Sequence, residues 1–466
     1  MVSVIEEALR PPDELRRVPG RPAPDPVALR RTLVLAGCLA AAVVAGAVVV
    51  LDPVAAGLGL LGLLVVGAMV LRVGWALLVY VAVEPFGDLV GDTVPQGVKL
   101  VGLLLFAAWL VRVVVDRRPV AVRHPVVVAA GVLGVVVLAA LVVHPNGPAG
   151  LQVAARYASY LAVLVVLVDT LRTTVPPRRV VTVFVVSATL AAAWGLATFL
   201  REGGRAAGPM EDANDFAFYL VCALPFALLL WREERGLRRV AAGVAVALLV
   251  VVTCATFSRG ALLAVGVMVV VALLLGLLRV RDVVAATVAV GLGLGAVVAS
   301  APDLVERAFA EKSFVAQDNV DSRFTSWTLA AEMTADHPVL GVGPGGFAER
   351  YAAYDQGRSA DPTHLSVVHQ MYLDVSSELG LVGLAVFLGL IGAGGLAAWR
   401  GRAGDDPGLA TAVVVALVGV LVAALFLSEQ YYLPIWLLVA LGAALDTAHR
   451  HHDATTGVPA LDGRGA

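Results

Sequence analysis

Residues 124–143 read HPVVVAAGVLGVVVLAALVV. After His124 the stretch holds no ionisable side chain, and it matches the run of about 20 apolar residues that a helix needs to cross a bilayer. Comparable runs lie at 33–51, 55–71, 73–83, 97–115, 150–169, 179–200, 215–231, 238–257, 261–278, 282–300, 380–398, 409–427 and 432–445. Those at 73–83 and 432–445 are short. The pattern predicts an all-α polytopic membrane protein with about 12–14 spans over 33–446, flanked by polar segments at 1–32 and 447–466.

Composition agrees. The 466 residues are 59% hydrophobic and only 15% charged, against about 25% charged in soluble domains. The net charge of −2 says nothing about nucleic acid, and no Lys/Arg stripe with interleaved aromatics exists, so no nucleic-acid partner is expected. Cys38, Cys222 and Cys254 fall inside apolar runs and read as packing residues, not a disulfide framework or a zinc site. Arg10, Arg16, Arg17, Arg21, Arg30 and Arg31 sit among prolines and acids, which reads as a cytoplasmic lead-in rather than a signal peptide. Leu35-Ala36-Gly37-Cys38 reads as the middle of a first span.

Arginines mark alternate connections: Arg72, then Arg112/Arg117/Arg118/Arg123, Arg172/Arg178/Arg179, Arg232/Arg235/Arg238/Arg239, Arg279/Arg281 and Arg400/Arg402. The intervening loops, Glu84 to Asp92, His144 to Gly150 and Ser428 to Tyr432, are acidic or neutral. By the positive-inside rule both termini are expected in the cytoplasm and the polar stretch 301–365 outside. Lys99, Arg156, Arg201, Arg205 and Arg259 break that rule. A cation inside a span is costly, so it faces a polar cavity, pairs with an anion or snorkels to the headgroups. Snorkelling suits Lys99. Arg156, followed by Tyr157 and Tyr160, suits a cavity.

The stretch 301–365 is long for a connector, and long loops in compact proteins are usually functional or disordered. Its sequence predicts order. Ser322 to Asp336 has helical spacing, His337-Pro338 ends it, Gly341-Val342-Gly343-Pro344-Gly345-Gly346 makes a tight turn, and a short helix follows near Ala348 to Asp355. The glycines do not follow a strand, so a dinucleotide fingerprint is rejected; their amides could still cradle an anion. His369-Gln370 comes next, separated by nine residues from Gly380-Leu381-Val382-Gly383. A histidine titrates near working pH and suits a general base, with His364 as the other nearby base. The planar forks of Arg259 and Arg323 suit a diphosphate. Together they describe glycosyl transfer from a polyprenyl-diphosphate carrier.

Four segments, in order, resemble the O-antigen ligase and polymerase superfamily of integral membrane glycosyltransferases. They are Asp212-Ala213-Asn214-Asp215-Phe216-Ala217; Thr256-Phe257-Ser258-Arg259-Gly260-Ala261-Leu262-Leu263; Ser322-Arg323 with Trp327 and His337 to Gly345; and the His369-Gln370 motif with its Gly-x-x-Gly. The resemblance spans 212–383. It implies metal-independent, inverting transfer of a glycan from undecaprenyl diphosphate to a lipid, glycan or protein hydroxyl in cell-envelope polysaccharide synthesis, with no cofactor. Carried over, His369 is the base and Arg259 and Arg323 hold the diphosphate; Arg156, Asn214, His364, Tyr372 and Glu378 are expected beside them as supporting residues. The commonest family form has Asn where this chain has Gln370. The competing class is a transporter or flippase of lipid-linked saccharides, which calls for mid-membrane ionisable groups and repeat symmetry. This sequence instead gathers its polar groups on one expected face.

Overall fold

The computed structural model describes residues 72–89, 97–115, 123–210, 212–300, 322–357 and 367–446, with 67, 69 and 120. The expected first spans at 33–51 and most of 55–71, the two polar terminal segments, Cys38, His364 and the ends of the 301–365 stretch lie outside these residues.

The chain is an all-α polytopic membrane protein. Its helices are α1 (Val73–Val83), α2 (Gly97–Val115), α3 (Pro125–Val143), α4 (Gly147–Thr173), α5 (Pro177–Glu202), α6 (Ala213–Glu233), α7 (Gly236–Ala255), α8 (Arg259–Leu274) and α9 (Val280–Ser300). A helix at 322–336, α10, comes next. Then follow α11 (Gly346–Asp355), α12 (Met371–Gly401), α13 (Pro407–Ala423) and α14 (Leu433–Leu445). Among the described residues, α2 to α7 and α12 are long and apolar enough to cross a membrane; α8, α13 and α14 are shorter apolar helices.

Local signals set the helix starts. Proline opens α3, α4, α5, α13 and α14 at N1 or N2, where its missing N–H costs no intrahelical bond. Asp212, Gln370 and Asp406 cap α6, α12 and α13 with side-chain oxygens, satisfying orphan amides of the first turn.

On α3 two apolar stripes share one helix. Val126, Ala130, Leu133, Val137 and Ala140 are buried, while Val128, Val132, Val135, Leu138 and Val142 are exposed. An exposed valine and leucine stripe parallel to a buried one is the pattern of a helix between protein and lipid. The central helices have no such outer face: every residue from Phe216 to Ala227 on α6 and from Leu433 to Leu445 on α14 is buried. Gly394 on α12 packs against the Val439 backbone of α14 with no room for a Cβ, the close approach that small residues permit between membrane helices.

Arginines gather at one end of the bundle. Arg112 pairs with Asp169 at 2.9 Å, and Trp109 donates to the same carboxylate at 2.8 Å. Arg178 holds Asp406 at 2.5 Å and Glu233 at 2.6 Å. Arg232 donates to the Gly276 and Leu277 carbonyls.

The other end carries the polar stretch. Leu329, Ala330, Met333, Val342, Phe347, Tyr351 and Val368 form a small core of their own, and Trp327 Nε1 donates to the Val368 carbonyl at 3.1 Å. This cap meets the bundle where α12 breaks. The sequence reading starts that span at Gly380, whereas the helix begins at Met371 and continues through Gly380, whose φ of 70° and ψ of −178° interrupt it. The turn at 337–345 supplies the partners the break removes: Val342 N–H donates to Ser377 O at 2.7 Å, Gly343 N–H to Glu378 O at 3.0 Å, and Leu381 N–H to Pro338 O at 2.8 Å. Asn146 clamps the turn from beneath, donating to the Val342 and Pro344 carbonyls at 3.0 Å each.

A Cβ on Gly380 would overlap the Val339 backbone at a φ that L side chains rarely adopt. Gly380→Ala is therefore expected to cost about 1–3 kcal/mol or more, read as a lower thermal unfolding midpoint of purified protein in detergent. An unchanged midpoint would show that the α12 break does not hold the cap.

Candidate active site

A cavity of about 1910 Å³ lies between the cap and the bundle. Its cationic part is lined by Arg205, Arg259, Arg323 and His369, with Asp212 and Asn214 on the first turn of α6. Arg156 and Lys99 line it from α4 and α2. Residues separated by more than two hundred positions thus share one polar space.

Each is placed by a local cause. Arg259 is the first residue of α8 and is exposed to the cavity. It follows Phe257, which takes φ 52°. Arg323 sits on α10; its Nη1 lies 3.4 Å from the Phe426 carbonyl and its buried Nε has no hydrogen-bond partner. His369 takes φ 53°, immediately before Gln370, whose side-chain oxygen accepts from Leu373 N–H at 2.6 Å. The Gln370 side chain is thereby occupied as a helix cap. Left-handed backbone at a non-glycine residue costs about 1–3 kcal/mol and clusters at functional sites. Here two such residues border one cavity.

Arg205, a charge on the unexpected side by the positive-inside rule, also lines the cavity. Its Nη2 donates to Asn214 Oδ1 at 2.7 Å and its Nε to the Thr256 carbonyl at 2.9 Å. It therefore ties the first family-like segment to the second, just ahead of Arg259. Asp212 accepts from the Asn214 and Asp215 amides at 2.6 and 3.2 Å. Arg156 lies over the Tyr431 ring, 5.7 Å from its centroid. Lys99, expected to snorkel, shares the same wall.

Two of the expected supporting residues are otherwise engaged. Glu378 lines the cavity, and the Gly345 and Phe347 amides hydrogen-bond its carboxylate. The amides of the glycine turn are thus occupied by a side chain of this protein. Tyr372 donates to the Leu421 carbonyl at 2.6 Å and is not in the cavity wall. His364 lies outside the described residues. His144 and His337 meet edge to face at 5.2 Å between ring centroids, under the cap, and neither lines the cavity.

The electrostatics are coupled. Burial lowers the His369 pKa from the ordinary histidine range, the Arg323 charge lowers it further, and Asp212 opposes them. Burial also lowers the Arg323 pKa; Asp212 opposes this and Arg205 adds to it. His369 is accordingly a neutral imidazole at pH 7, able to accept a proton. Among the described residues no group of three or more His, Cys, Asp or Glu side chains is placed to hold a metal ion.

Residues 244–388 match the family model described as O-antigen ligase. The matched segment contains Arg259, Arg323, His369 and the α12 break. It supports the O-antigen ligase and polymerase superfamily resemblance, and with it a membrane glycosyltransferase type of activity. A comparison with curated proteins finds no match to this chain.

Removing the positive charge beside His369 stabilises its imidazolium, so Arg323→Gln is expected to raise the His369 pKa. The check is a histidine-labelled NMR titration of the protein in detergent, with the resonance assigned by His369→Gln. A pKa that stays or falls would separate the two side chains.

Proposed function

We propose that this chain moves a glycan from a polyprenyl-diphosphate carrier, undecaprenyl diphosphate by the family resemblance, to an acceptor hydroxyl of a lipid, glycan or protein. The observation that carries the reading is the cavity that His369, Arg259 and Arg323 share under a cap, all three inside the segment that matches the O-antigen ligase family. Arg259 and Arg323 hold the diphosphate, and Arg205 fixes the first turn of α6 beside them. Arg156, Asn214 and Glu378 support the cavity wall.

Chemically, the acceptor oxygen attacks the anomeric carbon, His369 takes the hydroxyl proton, and the glycosidic bond to the diphosphate breaks. The arginines stabilise the charge that develops on the departing diphosphate. Direct displacement on one face inverts the anomeric centre, and the arginines do the work that a metal ion does elsewhere. The protein acts in the cell membrane, with both termini cytoplasmic and the cap and cavity outside, in synthesis of cell-envelope polysaccharide. Transport of lipid-linked saccharides is the rival function, and it leaves a base between arginines without a task.

His369→Ala is expected to lower turnover about 10²–10⁴-fold while leaving carrier binding intact. In the parent the rate rises with pH through the depressed His369 pKa and is flat above it. Arg259→Ala and Arg323→Ala weaken binding of a polyprenyl-diphosphate analogue, and the Lys variants lose more than charge alone accounts for, because the planar fork is gone. Unchanged affinity in both alanine variants would remove the donor site.

Orientation is tested separately. In a background lacking the native cysteines, a cysteine at exposed Glu349 should react with an impermeant reagent in intact cells and one at Arg235 should not. The reverse pattern would turn the protein over. Deleting the gene should cause lipid-linked saccharide to accumulate: single repeat units indicate a polymerase, full-length chains a ligase. No accumulation would favour another function.

A further inference from the structure

The cavity has a second part that diphosphate chemistry leaves without a role. Beyond the first turn of α6 its wall turns acidic, with Glu84, Asp88 and Asp215, and aromatic, with Tyr160 and Tyr432. Asp215 lies one residue from Asn214, so this part begins where the arginine part ends. Tyr432 Oη donates to Asp215 Oδ2 at 2.8 Å, and Asp215 shares a hydrogen bond with the buried Glu429 carboxyl. Tyr160 is held by stacking on Trp436, 5.9 Å between ring centroids.

Glu84 supplies the observation that points to a ligand. It is only 9% exposed, and one oxygen accepts from Leu433 N–H at 3.3 Å. The other, Oε2, is buried without a hydrogen-bond partner, although the residue is part of the cavity wall. A buried polar atom left unpaired is costly, and a ligand that supplies the missing donor recovers that cost on binding. The donor is not part of an ionised diphosphate, which carries acceptor oxygens and no N–H. Sugar hydroxyls do fit: they are neutral donors, vicinal pairs can bridge a carboxylate, and a pyranose face packs on an aromatic ring. The order along the wall is also right, because a sugar bonded to the diphosphate, or poised to attack beside it, must extend from the arginines into the adjoining space.

We propose that Glu84 and Asp215, with Tyr160 and Tyr432, form the saccharide subsite of this cavity, their carboxylates accepting hydrogen bonds from sugar hydroxyls next to the arginine-bound diphosphate. The assignment rests on the carrier-glycan reading above. The sugar in question belongs to the donor or to the acceptor, and the same chemistry serves both.

The test uses the full-length protein in detergent with three probes: bare undecaprenyl diphosphate, the same carrier bearing the saccharide that accumulates in the deletion strain, and that saccharide released from the carrier. Glu84→Gln retains the shape and can still accept from Leu433, and Asp215→Asn can still accept from Tyr432, so both variants keep the contacts that hold the fold. Each should bind bare carrier as the parent does and lose about 10-fold in affinity for saccharide, the size of one hydrogen bond. Weaker binding of the glycan-bearing carrier alone assigns the donor sugar. Weaker binding of free saccharide, measured with bare carrier present, assigns the acceptor. Parent-like binding of all three probes by both variants overturns the subsite. Weakened binding of bare carrier overturns it as well, since the acids would then serve the arginines or the fold. The carrier reading fails independently if Arg259→Ala and Arg323→Ala both retain bare-carrier affinity.

Discussion

A membrane helix cannot leave its backbone groups unpaired, because no water in the hydrocarbon region can take them. The break in α12 at Gly380 creates that problem, and the turn at 337–345 solves it by pairing with Ser377, Glu378 and Leu381. The rest of the cap end depends on this exchange. It fixes the turn, whose Gly345 and Phe347 amides then hold Glu378. It sets α10 and α11 on either side of the turn around their own small core. Through Trp327 and Val368 it also sets where the chain re-enters as His369. Met371 N–H, bonded to the Ala424 carbonyl at 3.1 Å, fastens that entry to α13.

The two ends of the bundle treat arginine in opposite ways. At one end Arg112 and Arg178 are neutralised by carboxylates and Arg232 by carbonyls; these contacts staple neighbouring helices. At the other, Arg323 has a buried Nε without a partner and Arg259 is exposed to the cavity. Asp212, the nearest acid, is already spent on capping α6. Guanidinium groups held close together without full compensation repel each other, and an arrangement of that kind persists when an anion completes it.

Much of this was legible in the sequence. Apolar runs gave the spans, because period and length suffice when every outward face is apolar. The helix at 322–336 and the turn after Pro338 followed from spacing and from proline. Arg259, Arg323 and His369 were picked out by residue type and by motif order, and the structure sets all three around one cavity. Arg205 was visible only as a charge on the unexpected side, since its contacts with Asn214 and Thr256 are long-range and leave no local pattern. Tyr372 shows the converse: it sits in the right motif, but its position in the first turn of α12 turns the hydroxyl to Leu421. Glu84 carries no motif at all. Its place in the cavity comes from α1 packing against α2 and α5 and from the bond to Leu433 at the start of α14, which no local spacing encodes.

A base set among arginines faces a conflict. The charge that would suit Arg323 to the proposed diphosphate also lowers the basicity of His369, and a weaker base gives less help in proton transfer. The conflict eases when the proposed donor is bound. A diphosphate brings negative charge to the same arginines, so their field at His369 is largely cancelled and the imidazole becomes more basic as the substrate arrives. Free protein then keeps His369 neutral without a paired carboxylate, and the loaded protein can stabilise the imidazolium that forms when the acceptor gives up its proton. When the glycan moves, the diphosphate gains charge as the leaving group, and the attraction to imidazolium strengthens in the same step. Arginines and histidine then act as one electrostatic unit, and the contribution of either depends on the other being in place.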